Sequence, residues 1–278
     1  MNDGPQMQLR DKVCLIAGAS GAIGRAVAQA FHQQGARLAL TYLTQKQNGS
    51  ASFGPNVNVL EVPLDVCQRE QVEGVIRQTI ERFGTIDVLV NCTGVLGPVG
   101  PTSQVREQDW VRALEINLVG SFYLTRAVLP AMLKQGRGKI IHFSGGGAAY
   151  ARPYYTAYSA SKAGLVRFIE SLAEELRDAH IDINAIAPGP VKSRMWDEMR
   201  NAKDADPKTI EELKKMDETG GVPPDRAAAL AVFLAAERSN GLTGRLISAV
   251  YDKWDVFDQK ISEIMRSEAG TLRRVPLG

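Results

Sequence analysis

Short apolar runs alternate along this chain with longer stretches whose apolar positions recur every three or four residues. VCLIAG (13–18), RLALTYL (37–43), VNVLEV (57–62), IDVLVNCTG (86–94), KIIHFSG (139–145) and IDINAIAPG (181–189) read as strands. IGRAVAQAFHQQG (23–35), QVEGVIRQTIERFG (71–84) and DWVRALEINLVGSFYLTRAVLPAMLKQG (109–136) read as helices, as does YYTAYSASK (154–162) running on into AGLVRFIESLAEELRDA. That order predicts βαβ units and a parallel sheet. The expected fold class is α/β: a single-domain, Rossmann-type, doubly wound parallel sheet with helices on both faces.

Two stretches break the beat. TQKQNGSASFGPN (44–56) is rich in Gly, Asn and Ser and predicts a loop. Residues 191–219, after APGP, are charged and helix-prone, which suits either a cover over a site or a solvated helix pair. No repeat or linker divides the chain. The expected organisation is a flexible tail over 1–8, one dinucleotide-binding catalytic domain over 9–250 with a substrate cover at about 191–219, and a C-terminal extension over 251–278.

Composition narrows the function. The 278 residues are 44% hydrophobic and 23% charged, enough to bury a real core, and 33 basic against 31 acidic residues leave a net charge of +2. Neither nucleic acid nor a membrane surface is favoured as a partner. A small-molecule substrate is. Cys14, Cys67 and Cys92 have no CxxC spacing and read as reduced packing residues. The start is polar, without the apolar core of a signal peptide, and no run approaches about 18 apolar residues, so the expected location is cytoplasmic. No metal site is expected.

LIAGASGAIGRAVAQAF sets a glycine turn between the first strand and the first helix. Gly18, Gly21 and Gly24 let backbone N–H groups approach a pyrophosphate that faces the helix N-terminus. At the end of the second strand Tyr42 stands where a carboxylate would bind the NAD ribose, and Lys46 follows as a candidate for a 2′-phosphate. NADP is therefore favoured over NAD.

YYTAYSASK offers three tyrosines and Lys162. On a helix Tyr158 lies about 40° and roughly 6 Å from Lys162, and Tyr155 about 20° and roughly 10 Å away, so spacing leaves both open. Carbonyl reduction needs a proton source where negative charge develops on oxygen. A tyrosine, with its ordinary pKa of about 10, needs a nearby ammonium to serve as base at neutral pH.

With the glycine turn, LDV (64–66), NCTG (91–94), EINLVG holding Asn117, FSG holding Ser144, Tyr158-x3-Lys162 and APGPVKS (187–193) in this order, residues 9 to 250 resemble the short-chain dehydrogenase/reductase superfamily. They are similar to its compact members of the 3-oxoacyl-acyl-carrier-protein reductase kind. The resemblance implies an NAD(P)-dependent oxidoreductase interconverting a hydroxyl and a carbonyl. Tyr158 would be the general acid/base, with Lys162 lowering its pKa, Ser144 orienting the substrate oxygen and Asn117 holding a relay water.

For the cofactor it implies Asp65 at the adenine amino group, Asn91 and Gly94 in the cleft floor, and Ser193 at the nicotinamide carboxamide. Ser20, Ile23, Tyr42 and Val66 are implied as further contacts, with Pro188, Gly189 and Val191 near the nicotinamide. Family members are usually dimers or tetramers, so a homodimer or homotetramer is expected.

The departures are specific. Ala22 replaces the middle glycine, NCTG replaces Asn-Asn-Ala-Gly, and Ser144 lies fourteen rather than thirteen residues before Tyr158, with Gly145 at the usual place. One extra residue in the following loop is the expected explanation. Two other readings stand beside the main one: an enoyl-type C=C reductase using Tyr155-x6-Lys162, and a non-catalytic dinucleotide sensor. In the extension, Trp254, Phe257, Ile261, Ile264 and Met265 predict one apolar helical face that covers a sister subunit or the substrate cleft.

Overall fold

The computed structural model describes residues 7–43, 53, 57–202, 207–275 and 277. Seven parallel strands form one sheet in the order β3-β2-β1-β4-β5-β6-β7: β1 Val13–Ala17, β2 Arg37–Tyr42, β3 Val59–Pro63, β4 Val88–Asn91, β5 Gly138–Phe143, β6 Ile181–Ala187 and β7 Leu246–Ser248. The expected doubly wound α/β sheet is what is found.

Strand periodicity explains the two cores. Cys14, Ile16, Leu38, Leu40, Val88, Val90 and Ile141 point to the face covered by α1 (Ala22–Gln33) and α8 (Pro224–Ala235). Val13, Leu15, Ala39, Leu89 and Ile140 point to the opposite face, under α2 (Arg69–Phe83), α4 (Gly120–Gln135) and α5 (Thr156–Glu175). The strand order reverses between β1 and β4, which opens a crevice at the carboxyl ends of the strands.

Three expectations change. The long 109–136 helix is α3 (Glu107–Leu114) and α4 joined by a π turn, Glu115–Val119, in which the Gly120 N–H donates to the Glu115 carbonyl. By length and composition Glu107–Gln135 would suffice to cross a membrane, contrary to the sequence reading. Here Leu124, Val128 and Met132 of that run are fully buried against the sheet.

The YYTAYSASK helix begins only at Thr156, leaving Tyr154 and Tyr155 outside it. The reason is the left-handed Tyr154, at φ 68°, in a turn that Pro153 opens and that the Tyr155 N–H closes on the Arg152 carbonyl at 3.3 Å. The loop expected over 44–56 falls, apart from Phe53, outside the described residues, as does Lys46.

The extension covers its own chain. A 3₁₀ turn, Trp254–Gln259, and α9, Ile261–Arg266, lay Trp254, Phe257, Ile261, Ile264 and Met265 on the α1/α8 core rather than over the cleft. Buried Arg245 donates to the carbonyls of Ile264, Met265 and Ser267 at 3.1, 3.3 and 3.1 Å, filling acceptors that the end of α9 leaves open. The Leu246 N–H then donates to the Gly270 carbonyl at 2.7 Å, so the chain's own end covers part of the β7 edge.

Candidate active site

The cofactor end is shaped by absent side chains. Gly18 has φ +78°, a conformation that disfavours any Cβ, and a Cβ on Gly24 would fall onto the Gly18 carbonyl and within 2.9 Å of the Ala19 Cα. Together with the α1 N-terminus this cradle fits a pyrophosphate. A Cβ on Gly94 would lie 3.3 Å from both the Asn117 Oδ1 and the Lys162 Nζ, so Gly94 keeps the cleft floor open.

Several implied cofactor residues are already engaged. Asp65 closes a turn by accepting the Cys67 N–H at 2.9 Å and pairs with Arg112 at 3.4 Å. Ser193 stands at the N-cap of α6 (Arg194–Arg200) without a side-chain cap bond. Gly189, at φ +79°, packs against Val222 and Val250, and Val191 is buried beside it. Tyr42 ends β2; burial first, then the charge and hydrogen bond of Glu61 on β3, hold its hydroxyl above the ordinary tyrosine range. Along β2 itself no carboxylate neighbours Tyr42. Glu61 comes from the neighbouring strand.

The NCTG turn hangs on a buried polar chain. Asn91 Oδ1 accepts the Thr93 N–H at 3.0 Å and hydroxyl at 2.6 Å, while its amide donates to Ser121 Oγ at 2.9 Å and meets His142 Nδ1 at 3.2 Å. Thr125 uses its hydrogen on the Ser121 carbonyl, so its oxygen accepts from His142 Nε2, 2.9 Å away. His142 is therefore neutral and carries its proton on Nε2. Burial, then the Lys162 charge, hold its pKa down to about 3.

Asn117 sits in the π turn, an irregularity that lets a helix present a functional side chain. Its Oδ1 accepts the Val95 N–H, and its amide donates to the Val95 carbonyl and Ser161 Oγ, each at 2.9 Å. Its carbonyl accepts the Ser121 hydroxyl at 2.7 Å. Asn117 thus clamps the cleft floor to α5.

Tyr158 and Lys162 lie one turn apart on α5, both buried, with the Lys162 Nζ 6.0 Å from the Tyr158 ring centre and donating to the Phe143 carbonyl at 2.9 Å. Tyr155 caps the helix instead of riding on it, fully buried beneath the Arg152 guanidinium, 4.8 Å from its ring centre. Leu96, Tyr155 and Tyr158 form a small apolar cluster completed by Val99, Met195 and Met199.

A family model described as Enoyl-(Acyl carrier protein) reductase matches residues 18–249. The chain belongs to the short-chain dehydrogenase/reductase family. It is 32% identical over 246 residues to the 3-oxoacyl-(acyl-carrier-protein) reductase FabG of Thermotoga maritima, a match spanning 87% of this chain and 97% of that one. Galactitol 2-dehydrogenase of Agrobacterium fabrum is 31% identical over 261 residues, 89% and 99% of the two chains. A solved levodione reductase superposes with a TM-score of 0.78 at 27% identity, over 86% and 96% of the two chains. As a member of this family the protein is an NAD(P)-dependent oxidoreductase that interconverts a hydroxyl and a carbonyl on a small molecule.

Two expected roles within this oxidoreductase change on inspection. The residue set against the Tyr158 hydroxyl is Gly145: a Cβ there would collide with it and lie 3.3 Å from the Tyr158 Cζ. Gly145 is fully extended, at φ −176° and ψ 174°, and it, not Ser144, stands thirteen residues before Tyr158. Ser144 Oγ is buried with no hydrogen-bond partner among the described residues.

The second change concerns charge. Burial holds the Tyr158 hydroxyl above the ordinary tyrosine range, and the charge opposing that rise is Arg152, not Lys162. Lys162 is itself held down to about 8, chiefly by burial. Tyr158 is thus neutral and Lys162 charged at neutral pH. Arg152 and His142 were not legible in the sequence. The only signal for Gly145 was the thirteen-residue spacing.

Burial raises the pKa of all three cysteines, Cys67 to about 11, and none forms a disulfide. The reading of them as packing residues agrees with that chemistry.

Proposed function

We propose that Tyr158 is the proton-transferring group of this oxidoreductase, with Lys162 holding a positive charge behind it and Asn117 positioning both. The observation that carries this reading is the neutral hydroxyl of Tyr158, a buried side chain set against the Gly145 backbone beside an apolar cluster. The bound nicotinamide supplies or accepts the hydride. In reduction, Tyr158 gives its proton to the substrate oxygen as negative charge develops there. In oxidation it takes the proton from the hydroxyl. The Arg152 charge, which opposes the rise in the Tyr158 pKa, lowers the cost of the phenolate left behind, and the Lys162 ammonium has further donors for the nicotinamide ribose. Ser144 has no part in this proton transfer.

The glycine cradle at Gly18, Gly21 and Gly24 would hold the pyrophosphate and Asp65 the adenine end. Ser20, Ile23, Val66, Asn91, Gly94, Pro188, Gly189, Val191 and Ser193 would line the remaining length. NADP is the favoured cofactor because Tyr42 replaces a ribose-binding carboxylate, and because the Glu61 carboxylate one strand over is engaged by Tyr42. The protein works in the cytoplasm as a homodimer or homotetramer, a reading supported by Val119, Phe122 and Leu133, exposed at 36%, 41% and 51% along the π turn and α4.

A panel of ketones, aldehydes, β-ketoacyl thioesters and one enoyl thioester, each followed with NADPH and with NADH, tests the reading. Consumption of NADPH with a carbonyl substrate is the expected result. Turnover of the enoyl compound alone, or a clear preference for NADH, would overturn the corresponding part.

A further inference from the structure

The loop between β5 and α5 carries backbone strain for which the proton transfer alone gives no reason. Arg152, Pro153, Tyr154 and Tyr155 form a turn whose third position favours glycine, yet Tyr154 occupies it at φ 68°. The Gly100 N–H, donating to the Tyr154 carbonyl at 3.0 Å, holds the turn in place. Strain of this kind persists where the surrounding structure fixes it, and it gathers at functional sites. Its result is a fixed position for Arg152.

Arg152 is directed inward. Its guanidinium lies over the Tyr155 ring, and its side chain is only 25% exposed. Tyr155 packs with Tyr158, Leu96, Met195 and Met199. Beside this apolar wall, the Arg152 charge reaches the Tyr158 hydroxyl. One of its nitrogens donates to Glu212 of α7 (Pro207–Thr219) at 3.0 Å. A guanidinium has five N–H donors in a planar fork, and the others have no acceptor among the described residues. The stacked ring occupies one face and leaves edges in the guanidinium plane for a second acceptor.

We propose that Arg152 is the substrate's anchor: the carbonyl or hydroxyl compound turned over here carries an anionic group, a carboxylate or a phosphate, which takes the donor edge of Arg152 while its apolar part lies on the partly buried Met195 and Met199. The inference rests on the carbonyl-reduction reading and deepens it. Because Glu212 shares the same guanidinium, its carboxylate opposes a second negative charge there, and a bound anion thereby loosens α7.

Benzoylformate, benzoylacetate and 3-benzoylpropionate, each beside its methyl ester, test the anchor with one ring and three spacings between carbonyl and charge. At least one acid is expected to exceed its ester in kcat/KM by about 10- to 100-fold, the scale of a charge-assisted hydrogen bond. Arg152→Gln is expected to bring that ratio to within about 3-fold, and Arg152→Lys to restore part of it, because an ammonium keeps the charge without the planar fork. The absence of any acid preference, or a preference that survives Arg152→Gln, overturns the proposal.

Should Arg152→Gln fold poorly, Glu212→Gln is read instead. It removes the competing carboxylate and should raise the acid-to-ester ratio. An unchanged or lower ratio counts against the anchor. Calorimetry with the same acids on NADP-loaded Tyr158→Phe, with and without Arg152→Gln, separates the two claims. Acid binding that depends on Arg152, in a protein that reduces none of the carbonyls, sinks the reaction and keeps the anchor; acid binding that is absent or indifferent to Arg152 sinks the anchor.

Discussion

Gly145 lies against the hydroxyl of Tyr158, and no side chain fits between them. A methyl at position 145 would displace the tyrosine from its place at the substrate oxygen. Gly145→Ala should therefore lose at least about 100-fold in kcat, the scale of a 1 Å misplacement, while cofactor binding persists. Ser144→Ala, which removes a hydroxyl with no hydrogen-bond partner among the described residues, should cost less than about 10-fold. Steady-state kinetics beside cofactor fluorescence titration reads both. The reverse ranking would return the serine to the proton transfer.

Lys162 gives the reaction its alkaline limit. Its pKa of about 8 leaves the ammonium present below that pH and lost above it. In the free enzyme, kcat/KM for carbonyl reduction should fall as pH rises through about 8, and Lys162→Arg should move the break beyond the accessible range. A flat profile between pH 7 and 9.5 would remove Lys162 from this role.

His142 ties stability to acid. Its folded pKa of about 3 is depressed below the ordinary 6.5, so the neutral ring contributes stability that is complete above 6.5 and lost as pH falls towards 3. Within that window the loss is about 1.4 kcal/mol per pH unit. His142→Gln should be less stable at pH 7.5, since it breaks the chain through Asn91, but should lose less between pH 6.5 and 4.5. Urea unfolding at both pH values decides; parallel losses in the two proteins would assign the acid sensitivity elsewhere.

The extension is part of the fold. Arg245→Met leaves the Ile264, Met265 and Ser267 carbonyls without their donor and should destabilise the protein by about 2 kcal/mol. Truncation after Lys253 removes Trp254, Phe257 and Ile264 from the α1/α8 core and should lower the melting temperature substantially more. Calorimetric melting that leaves either variant unchanged would contradict the packing.

Local pattern carried the architecture because each strand's alternation and each helix's spacing is decided by burial on one face. The glycine turn and Tyr158-x3-Lys162 were legible for the same reason: their geometry is internal to one turn or one helix. What stayed hidden came from distant segments. Glu61 reaches Tyr42 across a strand pair, Glu212 reaches Arg152 from α7, and Trp254 turns back onto Phe233. The serine offset was visible, but choosing between Ser144 and Gly145 needed the fully extended backbone at 145, which no spacing rule supplies. Tyr155 was assigned a helical position that the left-handed backbone of Tyr154 excludes.

The proton-transfer assignment is tested most directly by comparing Tyr158→Phe with Tyr155→Phe on one carbonyl substrate at saturating cofactor. Loss of a general acid costs about 100-fold or more, so Tyr158→Phe should fall at least that far in kcat with cofactor affinity retained, while Tyr155→Phe keeps most of its turnover. Turnover that survives Tyr158→Phe and disappears in Tyr155→Phe would contradict the account and move the chemistry to the start of the helix.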